Sequence, residues 1–248
     1  MIVAFHGFMG TGADFSPLKD CLHTSMDMPD LVGHGSHLPF DPIKYSTASQ
    51  VAHWKERIPY GSVIMGYSMG GRLALQLATA YPEHFAGLIV IGGTPGIADH
   101  QERALRARWD RQQAKKLRKK GMAEFYRTWQ TLPIIASQQA ILPKILDPMI
   151  ARRLRQKPEL LALSMLHFGT GTMPDCWERL QYLQMPVLLM VGENDAKYRG
   201  IARNMQRQIP QAELAVIPDV GHCAHLEGIA PSTAVIHEFL VRNTLEGH

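Results

Sequence analysis

Val63-Ile64-Met65-Gly66-Tyr67-Ser68-Met69-Gly70-Gly71-Arg72 is the stretch on which the reading of this chain turns. Residues 63–65 are a short apolar run, and residues 69–80 follow with helical spacing, so strand passes to helix through one tight corner. That corner holds Gly-x-Ser-x-Gly, the pattern of a nucleophile elbow. Small neighbours permit the sharp turn, and the serine hydroxyl projects above the sheet. The N–H after Ser68 is left free at a helix N-terminus. A serine that only caps an ordinary helix is the competing reading; the strand before it argues against that.

Working outward, apolar runs recur at 2–5, 25–28, 88–91, 187–191 and 214–217. Each is nearly continuous, as expected of parallel strands covered on both faces. Helical segments at 46–57, 69–80, 198–208 and 232–243 alternate with them. This rhythm predicts an α/β fold, a mostly parallel, doubly wound sheet with right-handed crossovers. From about 95 to 183 no strand is visible, only helical stretches interrupted at Gly121, Pro133, Pro143, Pro158 and Gly169 to Gly171. We read this interval as a helical cap inserted before the penultimate strand of one domain spanning 1–248.

A serine hydroxyl is a weak base and nucleophile until a histidine lies within hydrogen-bond reach. Of twelve histidines, His222 has the right position, between the last strand and the last helix. His225 is the runner-up and reads as structural. The acid that orients the imidazole belongs after the penultimate strand, where Gly192-Glu193-Asn194-Asp195 emerges. Asp195 is the expected partner, with Glu193 as the competing carboxylate. An oxyanion hole needs a second N–H besides that of Met69. His6-Gly7-Phe8-Met9-Gly10, after the first strand, offers the N–H of Phe8; a plain glycine turn is the alternative. Gly33-His34-Gly35 reads as structural. The chain order Ser, Asp, His is that of the α/β-hydrolase fold.

Composition excludes several classes. The chain is 46% hydrophobic and 19% charged, ordinary for a globular protein with a large core. No apolar run approaches a membrane span, so no membrane insertion is expected. The first twelve residues lack the layout of a secretory signal, and three scattered cysteines suggest neither a disulfide framework nor a zinc site, so a cytoplasmic location is expected. Neither a dinucleotide nor a Walker fingerprint is present, nor H-E-x-x-H, which points to chemistry without cofactor or metal. The net charge of +4 is uneven: residues 100–120 hold nine Lys or Arg and two acids. Arg72 lies one helical turn beyond Ser68, and Arg103, Arg106, Arg108 and Arg111 recur at helical spacings. Arginine's planar fork suits carboxylates, and Tyr67 and Trp129 offer flat surfaces. A small polycarboxylate fits these features better than a fatty ester or nucleic acid; a solvated helix face is the plainer reading for any one arginine.

Several motifs together resemble one family. They are His6-Gly7-Phe8, Gly66 to Arg72, Gly92-Gly93-Thr94-Pro95-Gly96, the 102–111 stretch, Gly169-Thr170-Gly171, Gly192 to Tyr198, and Gly221-His222 with His225. The chain is similar over nearly its whole length to the 2-succinyl-6-hydroxy-2,4-cyclohexadiene-1-carboxylate synthases of menaquinone and phylloquinone biosynthesis, within the α/β-hydrolase superfamily. The resemblance implies elimination of pyruvate from a succinyl-enolpyruvyl-hydroxycyclohexene carboxylate. Ser68, His222 and Asp195 would remove a proton without forming an acyl-enzyme, and Phe8 and Met69 would stabilise the oxyanion. Tyr67, Arg72, Arg106 and Trp129 would contact the substrate, with a monomer or small homo-oligomer as the working form. Two departures stand out. The antiparallel strands that usually precede the H-G-F loop have no counterpart before His6, which implies a shorter sheet edge. Leu166 stands where the family often has arginine, leaving Arg127, Arg152 or Arg153 as substitutes. An esterase or carbon–carbon bond hydrolase of the same fold is the alternative activity, and a non-catalytic binding protein a further one.

Overall fold

The apolar runs of the sequence build one six-stranded sheet. In the computed structural model, which describes residues 1–245, the strands are β1 (Ile2–Phe5), β2 (Met26–Asp27), β3 (Ser62–Tyr67), β4 (Phe85–Ile91), β5 (Val187–Gly192) and β6 (Ala212–Ile217). Every pairing among them is parallel, in the order β2-β1-β3-β4-β5-β6. The chain therefore runs outward from β1 to β2, then crosses back to β3 on the other side of β1. Such a reversal opens a crevice at the carboxyl ends of the two flanking strands, where ligands bind in open α/β sheets. Here those ends carry the His6 loop and Ser68.

The helices are α1 (Ser16–Leu22), α2 (Thr47–Arg57), α3 (Met69–Ala80), α4 (His100–Trp129), α5 (Pro133–Ala136), α6 (Pro143–Leu154), α7 (Pro158–Phe168), α8 (Ala196–Gln206), α9 (Ala224–Glu227) and α10 (Ile229–Arg242). Alternate strand residues feed two separate cores. Val3, Phe5, Ile64, Val90 and Leu189 pack with Trp54, Leu73 and Met205 from α2, α3 and α8. Ile2, Ala4, Met65, Ile89 and Met190 pack on the opposite face with Leu18, Ile236 and Phe239 from α1 and α10. Both faces of the central strands are thus sealed, which explains why the sequence shows continuous apolar runs instead of alternation.

The edges depart from that expectation. Only Met26 and Asp27 of the expected 25–28 run pair with β1. β6 is half-buried along most of its length, and Val216 is exposed. An edge strand has a strand neighbour on one side only, so less of its surface is covered than in a central strand.

Between β4 and β5 the described chain holds helices joined by turns and loops, and no strand. Asp99 caps α4 by accepting from the Glu102 N–H at 2.8 Å. Pro133, Pro143 and Pro158, which the sequence marks as interruptions, each stand in the first turn of a new helix, where a missing N–H costs nothing. Leu117, Phe125, Tyr126, Leu161 and Met165 form a third core that closes over Met9 of the H-G-F-M loop. That contact sets the helical segment above the carboxyl end of β1.

Candidate active site

Ser68 is the one residue between β3 and α3, and its backbone lies at φ 51° and ψ −103°. A serine pays strain to sit there, and such strain persists only where its surroundings enforce it. They do so by crowding. A Cβ on Gly66 would collide with the Gly70 backbone, and one on Gly70 with the Phe5 carbonyl. The Ser68 N–H is tied to the Ile91 carbonyl at 2.8 Å, and its own carbonyl accepts the Arg72 N–H at 3.0 Å. The hydroxyl is left facing the crevice.

The histidine and acid arrive from the far side of the sheet. His222 Nε2 lies 3.0 Å from Ser68 Oγ, and His222 Nδ1 lies 2.6 Å from Asp195 Oδ2. The other Asp195 oxygen accepts the Tyr198 N–H at 3.3 Å, so one carboxylate both caps α8 and orients the imidazole. This cap is why α8 starts at Ala196, ahead of the expected 198. Glu193 points elsewhere and accepts the Asp219 N–H at 3.1 Å. His225 is buried against Phe15 and Tyr67, and burial first, then the nearby His222, push its pKa down to about 3.

Glu227 was not among the residues singled out in the sequence. Its Oε2 accepts the Gly221 N–H at 2.6 Å and its Oε1 the Cys223 N–H at 3.0 Å, so the carboxylate grips both neighbours of His222. Ser137, from the helical segment, donates to the same carboxylate at 2.9 Å. The only sequence signal was an acid five residues beyond His222, in a region that reads as plain helix start.

Ser68 and His222 open into a cavity of about 430 Å³, within the range of small-molecule sites. Phe8, Met69, Arg72, Arg106 and Trp129 line it. Met69 is the first residue of α3, ahead of the first intrahelical bond, and among the described residues neither its N–H nor that of Phe8 donates to a loop or turn carbonyl. Both N–H groups therefore lack a backbone acceptor. Arg72 is buried, with Nη1 on the Phe168 carbonyl at 2.7 Å. Burial first, then the positive Arg106, push its pKa down to about 10. Arg106 lies 4.9 Å over the Trp109 ring and gives Nε to the buried Asp110 at 2.8 Å. Asp110 also accepts the Gly171 N–H at 3.2 Å, which joins α4 to the G-T-G loop.

Other residues fall outside the cavity. Tyr67 is not in its lining: the ring is buried between His222 and His225, and its hydroxyl accepts from Gln138 at 3.3 Å. Its place at the end of β3, with the chain turning away at Ser68, points it behind the triad. Arg103 is paired with Asp175 at 3.5 Å, and Arg108 and Arg111 are exposed. For Arg108 and Arg111 the solvated-face reading holds. Leu166 faces a shallow surface depression beside Arg111 and Lys119. None of its three suggested substitutes lines the cavity: Arg127 is exposed, Arg152 pairs with Asp14 at 2.7 Å, and Arg153 is buried near Tyr126. Instead the structure brings in Trp109, Ser164, Thr170, Lys197 and Tyr198. Lys197 and Tyr198 were visible in the sequence only as part of the Gly192-to-Tyr198 motif.

Among the described residues no group of His, Cys, Asp and Glu is arranged to hold a metal ion, and no helix is long and apolar enough to cross a membrane.

The alpha/beta hydrolase family matches residues 2–237. A protein of Bacillus subtilis (strain 168) assigned as a 2-succinyl-6-hydroxy-2,4-cyclohexadiene-1-carboxylate synthase is 33% identical over 245 residues, covering 96% of this chain and 89% of its own. The solved structure of MenH from S. aureus superposes with a TM-score of 0.89 at 29% identity, covering 98% of this chain and 94% of that one. A thermophilic esterase from Thermogutta terrifontis (malate bound) follows the same course with a TM-score of 0.79 at 26% identity, over 98% and 89% of the two chains. This chain belongs to the alpha/beta hydrolase family and, within it, to the 2-succinyl-6-hydroxy-2,4-cyclohexadiene-1-carboxylate synthases.

Proposed function

We propose that the protein is a carbon–oxygen lyase that eliminates pyruvate from 2-succinyl-5-enolpyruvyl-6-hydroxy-3-cyclohexene-1-carboxylate, giving 2-succinyl-6-hydroxy-2,4-cyclohexadiene-1-carboxylate. The observation that carries this reading is the meeting of two systems in one cavity. Ser68 is hydrogen-bonded to His222 at 3.0 Å, and two guanidinium groups of Arg72 and Arg106 face the same space. A substrate with three carboxylates, activated by loss of a proton beside a ketone, uses both.

In this mechanism His222 Nε2 takes the Ser68 proton as Ser68 Oγ takes the proton from the ring carbon bearing the succinyl group. The released electron pair moves into the ketone, and the enolate oxygen rests on the N–H groups of Phe8 and Met69. The pair then returns, shifts the ring double bond and expels enolpyruvate. The proton held by His222 passes through Ser68 to the methylene carbon of the leaving group, which becomes pyruvate. Asp195 keeps Nδ1 protonated and stabilises the transient imidazolium. No acyl bond is broken, so Ser68 has no acyl group to accept.

The intact Ser68–His222–Asp195 chain and the likeness to an esterase favour a second reading, hydrolysis through an acyl-serine. Coupled detection of pyruvate separates the two. Stoichiometric pyruvate release from the enolpyruvyl substrate supports the lyase. Rapid turnover of nitrophenyl esters with no pyruvate supports the esterase. We further propose a single domain with the 95–183 segment as its cap, acting in the cytoplasm as a monomer or small oligomer. The three free cysteines, two of them buried, fit a reducing compartment.

A further inference from the structure

The cavity holds a third cation that belongs to none of the arginine series. Lys197 lines the cavity mouth beside His222, on the first turn of α8 and two residues beyond Asp195. Helix physics disfavours this placement, because the N-terminal end of a helix carries positive partial charge and prefers acids. Asp195 already caps that end. Nor does a protein anion explain Lys197. Among the described residues no carboxylate or carbonyl pairs with it, and its Nζ lies 5.8 Å from the centre of the Tyr198 ring. Lys120 on α4, by contrast, is paired with Glu124 at 2.7 Å. The two arginines of the cavity are held from behind, Arg72 by the Phe168 carbonyl and Arg106 by Asp110, each through one nitrogen, with the rest of the fork unspent.

We infer that Lys197 Nζ binds a carboxylate of the substrate at the mouth of the cavity, as the third cationic partner beside Arg72 and Arg106, and so sets a preference for a tricarboxylate over a dicarboxylate. The inference rests on the lyase reading for the identity of the substrate. The residues divide the work by depth. Arg72 lies buried on the floor, Arg106 is half-buried on the wall, and Lys197 is exposed at the rim. A fork anchored from behind suits fixed, directional recognition. A hydrated ammonium on a flexible stem suits capture and release at an opening.

The test uses the full chain as wild type, Lys197→Gln and Lys197→Arg. Under turnover, Lys197→Gln is expected to raise KM for the enolpyruvyl substrate by about 10- to 100-fold, the loss of one charge-assisted contact, with kcat little changed. Lys197→Arg should recover most of the difference. A second measurement needs no turnover: calorimetric titration with tricarballylate and with glutarate, its dicarboxylate counterpart. The wild type should favour tricarballylate, and Lys197→Gln should bring the two affinities together. An unchanged KM together with an unchanged tricarballylate-to-glutarate ratio overturns the inference. A ratio that depends on Lys197 in a protein that releases no pyruvate supports the assignment of Lys197 while overturning the lyase reading.

Discussion

At the scale of single residues, the site separates groups that react from groups that hold them. Ser68→Ala and His222→Ala should each lower the rate of pyruvate release by roughly three to six orders of magnitude, because triad members act as a unit. Thermal unfolding followed beside the kinetics should show the fold intact, since neither substitution opens the sheet. Glu227 sits one step back. It touches no reacting atom, yet it fixes the N–H groups on either side of His222. Glu227→Ala frees that loop, and a displacement of about 1 Å is enough to cost on the order of 100-fold in kcat. KM should stay near wild type, because the residue does not line the cavity. Glu227→Asp should restore part of the loss. A kcat equal to wild type in Glu227→Ala would show that the loop holds itself. Asp110→Asn tests the other support. The amide keeps the shape but drops the charge that faces Arg106, so the effect should fall on KM and, the pair being largely buried, change little with ionic strength.

At the scale of elements, α4 is the case where sequence and structure inform each other. Its 30 residues carry one backbone break, at Gly121, with φ 73° and ψ 176°. That conformation is open to glycine and closed to other residues. A Cβ there would meet nothing within 4 Å, so Gly121→Ala isolates backbone strain from packing. The expected cost is about 1–3 kcal/mol, read as a shift in urea midpoint at constant m-value. The sequence marked Gly121 as an interruption because glycine and proline are local signals. The elbow and the strand cores were legible for the same reason: each is set by residues close in the chain. What stayed hidden depends on distant partners. Tyr67 sits at the right place in the motif but is turned behind the triad, a matter of how β3 ends against the histidine loop. Lys197 and Glu227 gain meaning only when the β5 and β6 loops meet, and the failure of Arg127, Arg152 and Arg153 to reach the cavity depends on where α4 and α6 lie. The edge strand at 25–28 was overextended because apolar content does not reveal whether a second neighbour is present.

At the scale of the whole molecule, the buried histidines tie the stability of the fold to pH. His6, His34 and His225 lie under the crevice with almost no exposure, and burial holds the pKa of each below its ordinary value, to about 3 for His34 and His225. In the unfolded chain these side chains titrate near 6.5. Between pH 6.5 and 3 the unfolded state therefore binds protons that the folded state refuses, so stability is complete above pH 6.5 and declines as pH falls. His34 and His225 each contribute a slope of up to about 1.4 kcal/mol per pH unit across that window. Urea unfolding at pH 7.5, 6, 5 and 4 should show this decline, with unfolding coupled to proton uptake. His225→Phe keeps an aromatic ring against Phe15 and removes one titrating group, so its stability should fall less steeply with acid than that of the wild type. Equal slopes for the two proteins would mean that His225 takes up its proton in the folded state, and that the wall behind Tyr67 admits water. Because Tyr67 also packs against His222, protonation there would reach the triad as well.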